Sequence, residues 1–197
     1  MDENLNQVIQ ALSSGNDDQA ELAVSSFHSL SEIQSVQLIN LLQGLLADPQ
    51  EDVRWWAARG IAELPGPAAT ALLCGALQDP APTVRQCAAL GLGQIMDASS
   101  IDDLIQRLDD PDPTTAALSA NALEKMGEPA VPALIETARS SSHFVRLLAV
   151  RTLARIGDQR SIPTLFSALE DNSALLDYWA SEGLEHMGVG LMVFLPE

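Results

Sequence analysis

Cations are scarce in this chain. Ten Lys and Arg stand against 27 Asp and Glu, a formal charge of −17. Nucleic-acid binding depends on Lys and Arg neutralising phosphates, so this balance argues against a phosphate-tracking surface. The same field opposes docking on anionic membranes. Two uses remain for the acidity: solubility, or attraction of a basic partner. Cysteine is nearly absent as well. Cys74 and Cys87 are far too few for a secreted disulfide framework. Both fall at helical positions, where a thiol serves as a small buried hydrophobe. No run of about 18 apolar residues occurs, so no membrane-spanning helix is expected. The opening residues, MDENLNQVIQ, lack the basic and apolar segments of a signal peptide, and a cytoplasmic location is the expectation. Aromatics make up only 4% of the chain, so each Trp and Tyr position is informative.

What the chain has is a period. Asp48-Pro49, Asp79-Pro80 and Asp110-Pro111 lie 31 residues apart. Val53-Arg54 recurs as Val84-Arg85 at the same spacing, and again as Val145-Arg146 two periods later. Self-similarity at this length is the signature of a solenoid, in which each unit stacks on its neighbours and function resides on an extended face.

Each repeat divides into two helical halves. Aligned at the Val-Arg position, the second halves read VRWWAARGIAEL, VRQCAALGLGQI, TAALSANALEKM, VRLLAVRTLARI and LDYWASEGLEHM. Apolar or small residues recur at relative positions 1, 4, 5, 8, 9 and 12; in the first segment these are Val53, Trp56, Ala57, Gly60, Ile61 and Leu64. That spacing predicts an amphipathic helix, and the small residues at positions 5 and 8 allow close helix approach. The first halves, PAATALLCGAL, IDDLIQRL, VPALIETAR and IPTLFSAL, predict a second helix per repeat. Pro132 and Pro163 sit where a helix start tolerates a missing N–H. The Asp-Pro pairs break the chain between helices, and Asp or Ser in these turns can cap the helix that follows. Gly66, Gly127, Gly157 and Gly188 lie just beyond second helices, as C-caps.

The fold class expected is therefore all-α, an α-α superhelix of about five to six helix pairs, in one domain over 1–197. Residues 1–31 read as a diverged first pair, with Ala23, Phe27 and Leu30 inward at an offset of 34 from Ala57, Ile61 and Leu64. Residues 32–187 form the regular array. Residues 188–197, GVGLMVFLPE, are apolar and act as a lid on the last repeat or await a partner's cover.

The Asp-Pro turn, the Val-Arg pair, the following Ala-Ala and the aliphatic residue beside Gly resemble HEAT repeats. More narrowly they resemble the short HEAT-like units named after phycobilisome lyases. The likeness covers about 160 residues from 33 onward. It implies a stack whose second helices line a concave face. Relatives implied by it include protein-binding scaffolds, bilin-lyase subunits, phycobilisome assembly and degradation factors, a DNA glycosylase branch and metal-dependent deoxyhypusine hydroxylases. Fold alone does not choose among them.

If the concave face carries over, its columns hold Trp55, Gln86, Ala117, Leu147 and Tyr178; then Arg59, Leu90, Asn121, Arg151 and Glu182; then Glu63, Gln94, Lys125, Arg155 and His186. Neighbours on a helix point about 100° apart, so only one residue of Trp55-Trp56 can face the core. Trp56 fits the core column. Trp55 is then either a groove anchor or a ring lying flat over the next helix. Tyr178-Trp179 repeats the arrangement, with Leu147 between them. Arg59 and Arg151 share a column and either clamp a partner's carboxylates or phosphates, or pair within the chain. Arg54, Arg85 and Arg146 are expected to bond turn acids of the neighbouring unit. His28, His143 and His186 share no metal-ligand spacing. A hydroxylase of this fold would need several His-Glu pairs, and only the reversed Glu185-His186 is present, so no metal site is expected. His186 is the one acid-base candidate. Cys87 shares the core column of Trp56 and Leu118, where a thiol is inert. No phosphate loop, serine elbow or Cys-His pair is found.

The expectation is a non-catalytic protein-binding scaffold or adaptor, with no cofactor and no catalytic residue. Its contacts would be Trp55, Arg59, Leu90, Leu147, Arg151, Tyr178 and His186. Its partner would be a basic protein or a phycobiliprotein, with no nucleic acid and no membrane. The alternative is a bilin-lyase subunit or chromophore-handling chaperone, whose aromatic groove would hold an open tetrapyrrole and whose arginines would hold its propionates.

Overall fold

The computed structural model describes residues 3–27, 32–140 and 142–189. Among these residues the chain is all-α, with twelve α-helices. They are α1 (Glu3–Leu12), α2 (Asp17–Ser25), α3 (Glu32–Leu45), α4 (Glu51–Ile61), α5 (Pro67–Ala76), α6 (Pro82–Ile95), α7 (Ile101–Gln106), α8 (Pro113–Met126), α9 (Val131–Thr137), α10 (His143–Ile156), α11 (Ile162–Leu169) and α12 (Ala174–His186). Each even-numbered helix is the second half of a consecutive pair. The chain forms two compact units, Met1–Ser100 and Ile101–Glu197. Within the first, α1 packs on α2, α3 on α4 and α5 on α6, and α4 also packs on α6. Within the second, α7 packs on α8, α9 on α10 and α11 on α12, and α10 packs on both α8 and α12.

The turns follow from their side chains. Asp48, Asp79 and Asp110 each accept the backbone N–H two residues on, at 2.8, 2.8 and 2.9 Å, which closes the turn and leaves the proline free of any donor role. Asp112, Ser142 and Ser173 cap α8, α10 and α12. Gln50 and Ala81 offer no such cap to α4 and α6. There the arginine after the valine satisfies turn carbonyls instead. Arg54 Nη1 donates to the carbonyls of Asp48 (3.0 Å) and Pro49 (3.2 Å), and Arg85 Nη1 to those of Asp79 (2.9 Å) and Pro80 (3.2 Å). The other edge of Arg54 crosses to the next repeat, where Nε and Nη2 meet Asp79 at 2.7 and 2.9 Å. In the second unit Arg146 bonds the Ser140 carbonyl and Asp171, both at 3.0 Å. Ala116 stands at the arginine position of α8, and Ser140 stands where the next turn would carry its aspartate, so both members of that pair are absent together.

Close helix approach rests on the small residues at position 8. A Cβ on Gly91 would lie 2.7 Å from Ala62 Cβ, and one on Gly183 2.7 Å from Ala154 Cβ. Gly127 and Gly157 take positive φ at the ends of α8 and α10, and Gly188 does so just past α12. Gly66 corrects the expectation. α4 ends at Ile61 and Gly66, with φ of 101°, immediately precedes α5. Pro65 cannot continue a helix, so the break falls ahead of it and the glycine opens the next element. The first pair is also in a different register. Ala20, Val24 and Phe27 are buried at i, i+4, i+7 spacing, while Ala23 is only half-buried. The burial pattern matches Val53, Ala57 and Gly60 at an offset of 33, not 34, and the Phe27 ring packs against Gly60, whose missing Cβ would lie 2.9 Å from it. His28, Leu30 and the apolar segment 190–197 lie outside the described residues.

Candidate functional site

In the first unit the second helices α4 and α6 bound a shallow cleft of about 360 Å3, lined by Trp55, Arg59, Gln86 and Leu90, with Cys87 and Gly91 also in its wall. The Trp pair splits as helix geometry requires. Trp56 is buried, and its Nε1 donates to Asp17 Oδ1 of α2 at 3.1 Å. Trp55 is half-buried and meets Trp56 edge to face, with centroids 4.8 Å apart. Leu90, at 48% exposure, stands open to solvent beside it. Arg59 is committed within the chain, to Glu63 one turn on and to Glu21 of α2 at 3.7 Å. Burial pushes the Cys87 thiol up to about 12, which keeps it protonated and unreactive.

In the second unit the corresponding face belongs to α8, α10 and α12. Tyr178 is 57% exposed and packs edge to face on Trp179 at 5.1 Å. Its hydroxyl donates to Glu182, which raises its pKa because the bond favours the protonated phenol. Leu147 is half-buried. Among the described residues Arg151 forms no ion pair; Nη2 donates to Asn121 Oδ1 at 3.2 Å, while Nε is buried without a partner. Burial, and then the neighbouring Arg155 cation, push its guanidinium below the ordinary value. His186 is exposed and lines an open groove of about 600 Å3 with Trp179, Glu182 and Glu185; Arg155 and Glu124 close one side as an ion pair at 3.2 Å.

Leu147, Arg151, Tyr178 and His186 therefore share one unit, and Trp55, Arg59 and Leu90 share the other. Sequence reasoning passed over Phe144 and Leu175, which are 42% and 56% exposed. A signal for them exists. They precede the first core residue of α10 and α12, at a position that is Asp52, Thr83 and Thr114 in the other regular second helices. Among the described residues no group of three or more His, Cys, Asp or Glu is placed to hold a metal ion, and no helix is long and apolar enough to cross a membrane.

A family model described as HEAT repeats matches residues 38–117 and 101–185. Among solved structures, the fold is similar to YibA of Escherichia coli, at 18% identity over 98% of this chain and 73% of that one, with a TM-score of 0.57. It is similar to the complex of CpcE and CpcF of phycocyanin lyase from Nostoc sp. PCC7120, at 20% identity over 93% of this chain and 77% of that one, with a TM-score of 0.54. An engineered protein matches at 19% identity over 96% of this chain and 98% of that one, with a TM-score of 0.52. No curated protein sequence is significantly similar. Likeness at these identities establishes the fold alone.

Proposed function

The chain belongs to the HEAT-repeat family, and from that premise we propose a non-catalytic protein-binding scaffold that engages its partner through the faces of its second helices. One observation carries the reading: in both units this face holds large apolar side chains that the fold does not bury. Trp55 and Leu90 occupy it in the first unit, Leu147 and Tyr178 in the second. A rigid helix stack presents such anchors without an ordering cost on binding. Arg151 adds a cation with no carboxylate of its own, while Arg59 is largely spent on Glu63 and Glu21. His186 contributes as a rim contact. A cytoplasmic setting is part of this reading.

A bilin-handling role has the fold likeness to the lyase complex behind it. It is the weaker reading because Arg59, which would hold a propionate, is already paired. The test is affinity capture from cells of the source organism with the wild type and with Trp55→Ala/Tyr178→Ala, each checked for folding by circular dichroism. Loss of the captured proteins with the folded double variant supports the scaffold. Retention of the same proteins overturns it. Added bilin leaves its visible spectrum unchanged under the scaffold reading, and a shifted spectrum favours the chromophore role.

A further inference from the structure

We propose that the face of α10 and α12 binds a partner segment in which bulky apolar side chains adjoin arginine or lysine. The inference rests on the scaffold reading and gives it a chemistry. Four apolar residues form the first half of the site. Leu175 follows Phe144 by 31 positions, and Tyr178 follows Leu147 by the same 31, so each pair occupies equivalent places on two helices that pack together. Phe144 and Leu147 are one turn apart on α10, as Leu175 and Tyr178 are on α12, and all four lie on one side. Three are more than 40% exposed and Leu147 is half-buried. Exposed apolar residues at equivalent places on two packed helices, bordered by charge, suit an interaction surface.

Charge decides the occupant. Residues 161–197 contain no Lys or Arg. On α12 the turns after Tyr178 carry Glu182 and Glu185, both exposed and, among the described residues, neither in an ion pair. They line the same open groove as the half-buried Trp179 ring. An aromatic wall beside carboxylates that carry no cation, Glu182 holding only the Tyr178 hydroxyl, suits a guanidinium or ammonium group, by cation–π contact and by Coulomb attraction. Arg155 does not fill that role, because Glu124 holds it on α8's side of the groove. Arg151, held by Asn121 rather than by a carboxylate, lies on α10, so basic side chains of the segment sit over the C-terminal half of α12 and its apolar ones over Phe144 and Leu175. A second copy of this chain is disfavoured by like charge, at −17 on each molecule.

The experiment selects a random 12-residue peptide display library against the full chain. Enriched peptides are synthesised and titrated calorimetrically against the wild type, Leu175→Ser/Tyr178→Ala, Glu182→Gln/Glu185→Gln and Trp55→Ala/Leu90→Ala. The residues changed on α12 are all exposed, so those two variants keep the fold, which thermal melts check. The expected peptides carry Leu, Phe or Trp next to Arg or Lys. Each α12 variant should weaken them by about tenfold or more, and the α4/α6 variant should not. Enrichment of acidic or uncharged peptides, unchanged affinity in the α12 variants, or no enrichment at all overturns the site. Loss confined to Trp55→Ala/Leu90→Ala overturns it too, but leaves the scaffold reading standing. A concentration-dependent dimer abolished by Tyr178→Ala would mean that a second copy occupies the face, and overturns it as well.

Discussion

Arg54 of α4 grips both carboxylate oxygens of Asp79, 25 residues ahead, while its remaining nitrogen closes the turn at Asp48 and Pro49. One guanidinium thus ties a turn, its own helix and the next repeat. Both partners are nearly buried, so the bond is shielded from solvent more than a surface pair would be. Arg54→Met should lower unfolding stability by about 1–3 kcal/mol, since Asp79 is left without its cation. Urea denaturation of Arg54→Met, Asp79→Asn and the double variant measures it. A double-mutant loss equal to the sum of the two single losses would contradict a direct coupling.

Acid should weaken the fold in a defined window. Burial opposes ionisation of Asp79, but the bonds from Arg54 and the Ala81 amide outweigh it and hold the carboxyl below its ordinary 3.8. Hydrogen bonds from the Arg160 side chain and amide hold Asp158 down to about 2. A carboxyl with a depressed folded pKa takes up its proton more readily in the unfolded chain. Its contribution is complete above the unfolded value and disappears as pH falls through the folded one. Stability should therefore decline between about pH 4 and about pH 2. Asp79→Asn should flatten part of that decline, as read from thermal midpoints across the range.

Two classes of glycine should respond in opposite directions. A methyl group on Gly183 would meet both Cβ and Cα of Ala154, at 2.7 and 2.8 Å, and backbone cannot swing aside. Gly183→Ala should cost about 1–3 kcal/mol by prising α12 from α10. Gly75, inside α5, has nothing within 4 Å of its Cβ position. Gly75→Ala should be neutral or stabilise by roughly 0.5–1 kcal/mol through helix propensity. Denaturation midpoints of the two variants provide the comparison.

The two thiols should differ in reactivity. Cys87 is 5% exposed, with its pKa pushed up to about 12 by burial, and Cys74 is half-buried on α5. A thiol reagent at pH 8 should modify Cys74 first and reach Cys87 only when denaturant opens the first unit. Equal rates in native buffer would show that the α4–α6 packing opens readily.

The 31-residue period and the apolar columns were enough to predict an all-α chain of helix pairs, and the arginine after each valine could be assigned to the turns. These features repeat, so each copy reinforces the others. Gly66 was misread although its cause is local, since Pro65 beside it breaks the chain before the glycine; the register of the first pair depends on where Phe27 meets Gly60, which no single repeat contains.

The candidate site was less legible, for a physical reason. Local spacing alone told which of Trp55 and Trp56 turns inward, because helix geometry is set within a few residues. Whether Arg59 was available to a partner depended on Glu21, 38 residues earlier and on another helix. That Phe144 and Leu147 stand on a helix next to the one carrying Leu175 and Tyr178, as the proposed face requires, depended on α10 packing against α12. Sequence determined the repeat, its helices and its turn chemistry, since these are set by neighbours along the chain. Tertiary structure decided which charges are satisfied and which apolar side chains remain open, since those depend on neighbours a repeat away.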